Sequence, residues 1–540
     1  RFGVFAVLAE TVIDATGDGD IAAFAGAEYI YGSERDHIVM WYSLAQFAKP
    51  GRTQNNFTSM VHISNIEDYT RAILDGRRRK RKREIHDHGI YVASRETRHI
   101  LGEAVLTLTD QLRHRQWEDV INIHFSNHDM KGKNGADWMH LGLIPPNLEI
   151  EVPYRILLPN GLEGILIAGK AVSATHDAFA AIRMQADLEN LGGVVALAAA
   201  QAVRNHQLPR EIDVKQLQKR LVLEGLLQED VLTRTIVNKE YQDEELEKLV
   251  DTLTGEKPLY LYADMEMDEI YTDKIPIVEI CTVGPRIIPY LEKALDHAIE
   301  KGDTKRQIVL AQCLAMYESS YGIPVLIREI EKELGDHGLP IRDNLIRHTQ
   351  LPPDQGAMPD VVYLLYTLGM TRDARSMPIW ETVAERINPS EESLKDMLTG
   401  TFYYVDAVCY GIERLAERNC IPILERFYKH STLSNQTRKA GVEADYFKER
   451  QAMLDLSIAR ALASCGSKRG FTILVQYLDD ARSLLAEQAH SELKRVTGKD
   501  FGKNQEDWLA YLASINEDIQ PAPVTIKLDM ENRRYSHQGG

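Results

Sequence analysis

The stretch VIDATGDGDIAAFAGAEY, Val12 to Tyr29, constrains the fold of this chain more than any other. Val12, Ile13 and Ala15 read as the buried end of a strand. Gly17 and Gly19 read as a turn whose backbone can approach a ligand with no Cβ in the way. An alanine-rich helix follows, and a helix N-terminus favours a phosphate. Strand, glycine turn and helix in this order form the exit from a nucleotide-binding sheet. Such exits are common in α/β proteins, so the stretch argues for a fold class before it argues for a ligand. A second exit lies downstream, where a strand over Gly164 to Ala168 leads into Gly169. A loop with Ser173, Thr175 and His176 follows, then Arg183, then a helix rich in Ala and Val. That helix is expected to be entered through Gly192 and Gly193, presenting unpaired N–H groups and a positive dipole end.

Beyond about Leu208 the texture changes, and long amphipathic helical patterns replace the mixture of strands and glycine turns. Arg210 to Leu227 reads as a short helix, and Thr252 to Asp273 has the weak periodicity of a linker. From about Pro276 a loose repeat sets in. Four helices open on a proline, at Pro289, Pro324, Pro378 and Pro422, and a fifth has Thr472 at that place. Proline suits the first turn of a helix, where its missing N–H is not needed. Another helix ending in a short turn precedes four of the five, and the units recur every 35 to 54 residues. Such periods suit stacked helix pairs, similar to degenerate HEAT-type repeats; an irregular helical bundle is the alternative. Trp508 is expected to cap the last unit, and the chain after Pro521 is polar and expected to be disordered.

Three separated motifs in the first part, ATGDGD at Ala15 to Asp20, SRETRHILG at Ser94 to Gly102, and AGKAVSATHDAFAAIRM at Ala168 to Met184, occur in a fixed order. Together they resemble the FAD-dependent oxidoreductase family with the glutathione-reductase-like flavoprotein fold, over about residues 1–228. The resemblance implies an FAD cofactor, with Ala15, Thr16, Gly17, Asp18, Gly19 and Asp20 near its pyrophosphate and ribityl chain. It implies that Ala168 and Gly169 end a strand beside the ribityl chain, that Ser173 is a cofactor-binding residue and that the helix from Gly192 and Gly193 points at the flavin. His176 and Arg183 would lie near the flavin face, with Arg95 and Arg98 on the substrate side. The sequence departs from the family pattern at Lys170, where Arg is usual, at Gln185-Ala186 in place of Glu-Pro, and at Ala196 in place of a glycine. A G-x-G-x-x-G fingerprint is not found, which reads as a chain beginning inside the FAD domain and expected to hold FAD weakly or not at all by itself. The expected architecture is α/β, a partial Rossmann-like FAD-binding domain with an inserted substrate domain, followed by an all-α repeat domain. The boundaries are 1–35 and 151–228 for the FAD-binding parts, 36–150 for the substrate domain, 229–275 for a linker, 276–520 for the repeats and 521–540 for the tail.

Composition narrows the rest. The 540 residues are 44% apolar and 26% charged, with a net charge of −17 and no apolar run of membrane-spanning length. That charge repels a nucleic acid except at a local basic patch. The run RRRKRKR, Arg77 to Arg83, is the one such patch, and reads as a solvated helix face, a nucleic-acid contact or a site for an anionic partner. Five cysteines without C-x-x-C spacing form neither a disulfide framework nor a zinc site. His124 and His128 stand four apart, compatible with a metal pair on a helix, an active-site role or a solvated loop. No metal is expected. The expected reaction is hydride transfer from a small organic substrate to FAD. His176, His124 and His128 are the acid/base candidates, and Arg95 and Arg183 would orient the substrate. The alternative is a helical-repeat scaffold for a protein partner with a vestigial flavin domain.

Overall fold

The computed structural model describes residues 6–49, 52–78, 91–133, 135–143, 145–237, 240–255, 272–342, 358–396, 399–440, 446–515 and 519–526. The first half is mixed. In chain order it runs β1 (Val12–Asp14), α1 (Asp20–Phe24), β2 (Tyr29–Tyr31), β3 (Tyr42–Lys49), β4 (Arg52–Thr58) and α2 (Ile66–Arg78). There follow β5 (Tyr91–Ala93), β6 (Arg98–Ile100), α3 (Leu108–Leu112), β7 (Val120–His124), α4 (Asp137–His140) and β8 (Ile150–Pro153). β9 (Ile165–Ile167), α5 (His176–Phe179), α6 (Gln185–Asn205) and α7 (Val214–Leu223) complete this half. The strands form four small sheets among the described residues: β1-β9, β2-β6, β4-β3-β5 and β7-β8. Only β1 and β9 are parallel, with Val12 opposite Ile165 and Asp14 opposite Ile167. This pairing joins the two glycine exits, which lie about 150 residues apart in the sequence.

Two expectations for this half change. Val12 and Ile13 are more than a third exposed and Ala15 is exposed, although they read as a buried strand end. Among the described residues β1 has one neighbouring strand, and α6 packs against the pair. Ile21 and Phe24 of α1 are exposed as well. The second change concerns α6. It starts at Gln185, with Met184 at the N-cap, so Gly192 and Gly193 lie well inside it rather than at its entrance. Two interior glycines cost about 1 kcal/mol each against Ala. Asp187 in the first turn and the buried Leu191, Val194, Val195, Ala198 and Ala202 outweigh that cost.

The second half is helical: α8 (Asp243–Asp251), α9 (Pro276–Thr282), α10 (Ile288–Glu300), α11 (Thr304–Met316) and α12 (Ile323–Leu334). It continues with α13 (Asp360–Met370), α14 (Met377–Arg386), α15 (Glu391–Lys395), α16 (Thr401–Leu415) and α17 (Ile421–Tyr428). Last come α18 (Tyr446–Ser464), α19 (Lys468–Tyr477), α20 (Ser483–Thr497) and α21 (Gln505–Ser514). The four prolines of the sequence repeat each fall in the first turn, of α10, α12, α14 and α17. Pairs α11–α12, α13–α14, α16–α17 and α18–α19 each consist of a largely buried helix and an amphipathic one. α13 and α16 cross closely, because a Cβ on Gly369 would sit 2.8 Å from Gly411 Cα. Trp508 is fully buried and stacks edge-on against Phe501. All five cysteines are buried and free.

The region expected to be a linker holds α8, which packs on α9 and α10 through the buried Leu246 and Val250. Residues 521–526, read as part of a disordered tail, form an extended segment. Its Ala522 N–H donates to the Ser464 carbonyl and its Val524 N–H to the Glu413 carbonyl. Of the basic run, Arg77 and Arg78 fall in α2 and the other five residues lie outside the described ones, as do most of Thr252 to Asp273 and residues 527–540. One apolar core runs from Ala22 through both halves to Ile519. Among the described residues no helix is long and apolar enough to cross a membrane.

Candidate functional site

The site is built from the ends of β1 and β9. The Ala168 N–H donates to the Asp14 carbonyl at 2.9 Å, which carries the parallel register into the two turns. Gly17 and Gly169 take φ of +79° and +85°, the left-handed region that glycine enters without strain. The turns lie so close that a Cβ on Gly169 would be 3.9 Å from Gly17 Cα. Asp14, buried, shapes the first turn. Its Oδ1 accepts from the Thr16 N–H (3.1 Å) and hydroxyl (2.7 Å), and its Oδ2 from the Ala22 N–H (2.9 Å). Gly19 is a glycine for a different reason, since a Cβ there would meet the Ile100 side chain at 2.8 Å. Ala15 and Thr16 are exposed, and Gly17, Asp18, Asp20 and Gly169 are partly so; Ala168 is buried.

Lys170 spans the two turns. Its Nζ donates to the Gly17 carbonyl at 2.9 Å and pairs with Asp18 Oδ1 at 2.8 Å. The segment Ser94 to His99 then connects this cradle to a buried cluster. Thr97 donates to Asp18 Oδ1, and Arg98 donates to the Asp18 carbonyl and pairs with Asp20 at 2.7 Å. Between Arg95 and Thr97, Glu96 points the other way and is fully buried. Its carboxylate meets His99 Nε2 and His176 Nδ1 at 2.8 Å and accepts from the Met40 N–H at 2.7 Å.

His176 faces an acceptor at both ring nitrogens, because Nε2 lies 3.0 Å from the Lys133 carbonyl. An imidazole so placed carries two protons. Burial opposes that charge, but the Glu96 carboxylate outweighs it and raises the His176 pKa to about 10. Glu96 is held well below the usual carboxylate range in return, burial again opposing. Next to it, Asp177 accepts from the Gly135 and Ala136 N–H groups, and burial raises its pKa to about 6.

Arg183 donates to the Asp129 side chain and carbonyl, each at 2.8 Å. Arg95 donates to the Trp41 carbonyl; burial and then the neighbouring Arg183 charge pull its pKa down. His128 is buried among Asp129, Arg183 and His176, and burial pushes its pKa down to about 3. His124, at the end of β7, is pushed down to about 4 by the same cause, its Nε2 beside the Asn122 amide at 3.2 Å. Both are neutral at pH 7. Among the described residues no group of three or more His, Cys, Asp or Glu is arranged to hold a metal.

The structure thus gathers Ala15 to Asp20 with Ala168 and Gly169 into one cradle, and Arg95, His128, His176 and Arg183 into one cluster beside it. Ser173 is fully buried, its hydroxyl accepting from the Gly102 N–H at 3.0 Å. Around Gly192 and Gly193 nothing lies within 4 Å of a built Cβ, so α6 leaves open space there. Sequence reasoning passed over Glu96 and Thr97. The signal available was one acid between two arginines, with a histidine three residues on.

Two glycine turns on a parallel strand pair, backed by a helix, thus lie beside a buried histidine–arginine cluster. Residues 1–86 and 65–221 match the model of the family described as FAD dependent oxidoreductase. The first 221 residues are thus similar to that family, and the cofactor the likeness implies is FAD. No curated protein and no solved structure matches the chain.

Proposed function

We propose that the chain is a flavin-dependent oxidoreductase that removes a hydride from a small organic substrate. The observation that carries this reading is the side-by-side placement of the Gly17 and Gly169 turns inside the family-matched region. Those turns leave room that a Cβ would fill, and Lys170, paired with Asp18, bridges their junction. In this reading Thr16, Gly17, Gly169 and Lys170 hold the FAD pyrophosphate, Asp18 positions Lys170, and Ala15, Gly19, Asp20 and Ala168 shape the turns. FAD, when bound, supplies the two-electron acceptor.

The chain's own residues divide the remaining work. Arg95 and Arg183 orient an anionic or polar substrate group. His128 and His124, neutral and buried, can accept a proton at a ring nitrogen. His176 stays charged and acts through electrostatics, its Glu96 partner fixing its position. The open side of α6 at Gly192 and Gly193 gives a flat group room to approach. The helical half is read as HEAT-type repeats that support this site and offer a surface to a protein partner; the proline-started helix pairs support that reading.

The test is reconstitution of the full chain with FAD. Weak uptake, approaching one flavin per chain only at excess FAD and with a bound-flavin absorption spectrum, is expected, and Lys170→Met is expected to weaken it about tenfold, the size of one charge-assisted contact. A folded chain that takes up no flavin overturns the proposal.

A further inference from the structure

Three connections converge at the histidine–arginine cluster. One follows β7 and carries Asp129 and Lys131, one follows β5 and carries Arg95, and one leads into α6 and carries Arg183. Asp129 is shared among these cations. Its Oδ2 pairs with Arg183 at 2.8 Å and its Oδ1 with Lys131 at 2.5 Å. Among the described residues Arg95 pairs with no carboxylate; its hydrogen bond goes to the uncharged Trp41 carbonyl. Arg183 has a donor to spare as well. Its side chain is 8% exposed, and its Nε is buried with no hydrogen-bond partner among the described residues.

A buried donor without an acceptor is costly, and so is a cation short of counter-charge. Both guanidiniums show it. Burial pulls the pKa of each below its ordinary value, the Arg183 charge adds to this at Arg95, and Asp129 restores neither. The other acids at hand are committed. Glu96 is bonded to His99 and His176, Asp177 to the Gly135 and Ala136 N–H groups, and Asp187 to the Phe125 N–H and the Ser126 hydroxyl. Arg95 and Lys131 are partly exposed and Arg183 lies deeper, so an anion arriving from solvent meets Arg95 first.

We infer that this junction binds a carboxylate group of the substrate, held by Arg95 and by the unpaired Nε of Arg183, with Asp129 keeping Arg183 in place. A planar two-oxygen group suits guanidinium forks, which donate parallel N–H bonds to it. His128 beside them is neutral, so it neither competes for the arginines nor repels the ligand. Calling the ligand the substrate rests on the flavin reading; the carboxylate site itself does not. The same oxyanion chemistry is present in the FAD phosphates, and competition tells the two sources apart.

Ligand-observed NMR titration of the full chain with propionate, propionamide and propylamine tests it, at low salt so that screening is weak. Each titration is run without FAD and with excess FAD, and flavin uptake is recorded separately by absorbance. Propionate is expected to bind about tenfold or more tighter than propionamide, the size of one charge-assisted contact, with or without FAD, and propylamine not at all. R95Q is expected to remove that preference and R95K to retain most of it, because the charge is kept. Three results overturn the inference: propionate no tighter than propionamide, the preference intact in R95Q, or FAD displacing propionate, which would give the arginines to a phosphate. A chain that shows the propionate preference but takes up no flavin defeats the flavin reading and leaves the carboxylate site standing. Should R95Q fail to fold, the three-probe comparison on the unaltered chain still decides.

Discussion

Glu96 is one residue on which two readings of the site meet. A carboxylate bonded to His99, His176 and the Met40 N–H is a structural lock, and the same lock sets the charge of His176 in the proposed flavin site. Nitrogen NMR of the ring atoms is expected to show His176 doubly protonated at pH 8.5, with His124 and His128 neutral at pH 5.5. A His176 that titrates near pH 6.5 would contradict the pairing. The pH signs follow. His176 is raised in the folded state, so its contribution is full below the ordinary histidine range and is lost as pH climbs through about 10. Glu96 is lowered, so its contribution is present above the ordinary glutamate range and lost in strong acid. His128 is lowered by burial, so it favours the unfolded chain progressively as pH falls from its ordinary value toward about 3. E96Q is expected to cost about 3 kcal/mol, the usual size for a broken buried pair, and to return His176 to a near-neutral titration. A different residue tests packing. G19A meets Ile100 at 2.8 Å in a left-handed backbone, and is expected to lose about 2–3 kcal/mol by thermal denaturation. I100A placed alongside it removes the overlap, so the pair should lose less than the sum of the two.

Among the elements, α6 separates what the sequence made legible from what it did not. Its existence and its buried Ala and Val face were readable from composition and spacing. Its start was not, because a Gly-Gly pair resembles a helix entrance, while tertiary burial of the following residues carried the helix through it. The helix pairs of the second half were legible for the opposite reason. Proline at a first turn is a local rule that packing does not override, and all four prolines fall there. The exposed face of β1 was illegible, since an apolar run says nothing about how many neighbours a strand has. Glu96 escaped because only His99 among its partners is near in sequence, while His176 and Met40 are remote. α6 also yields a prediction. Gly193 is exposed and surrounded by open space, so G193A is expected to raise stability by about 0.5–1 kcal/mol. If the space serves the flavin, the same substitution lowers FAD uptake while raising the melting temperature. A rise in temperature with unchanged uptake would remove Gly193 from the cofactor site.

Across the whole molecule, the two halves meet through buried charge as well as through a continuous apolar core. Asp406 on α16 is fully buried and takes Arg35 at 3.3 Å, Lys133 at 3.0 Å, the Tyr366 hydroxyl at 2.7 Å and Ser457 at 3.2 Å. Arg35 and Lys133 belong to the mixed half, and Arg35 reaches Glu413 as well. Tyr410, one turn along α16, donates to Asp137 of α4 at 2.6 Å. Such a network is costly to desolvate and costlier still to break on one side, because the partner charges stay buried. Lys133 has a second role, since its carbonyl accepts from His176. The helical array therefore reaches the proposed flavin site in two bonded steps, Asp406 to Lys133 and Lys133 to His176. The expected outcome is that the unaltered chain unfolds in a single calorimetric transition, both halves together. D406A removes the shared acceptor of Arg35 and Lys133, leaving Glu413 to the one and Asp36 to the other; it is expected to lower stability by about 3 kcal/mol and to divide the melt into two transitions. FAD uptake should fall along with it, through the loosened Lys133 carbonyl and the His176–Glu96 pair. Two separate transitions in the unaltered chain, or D406A melting as one unit with full FAD uptake, would show instead that the array and the flavin half are stable independently of this network.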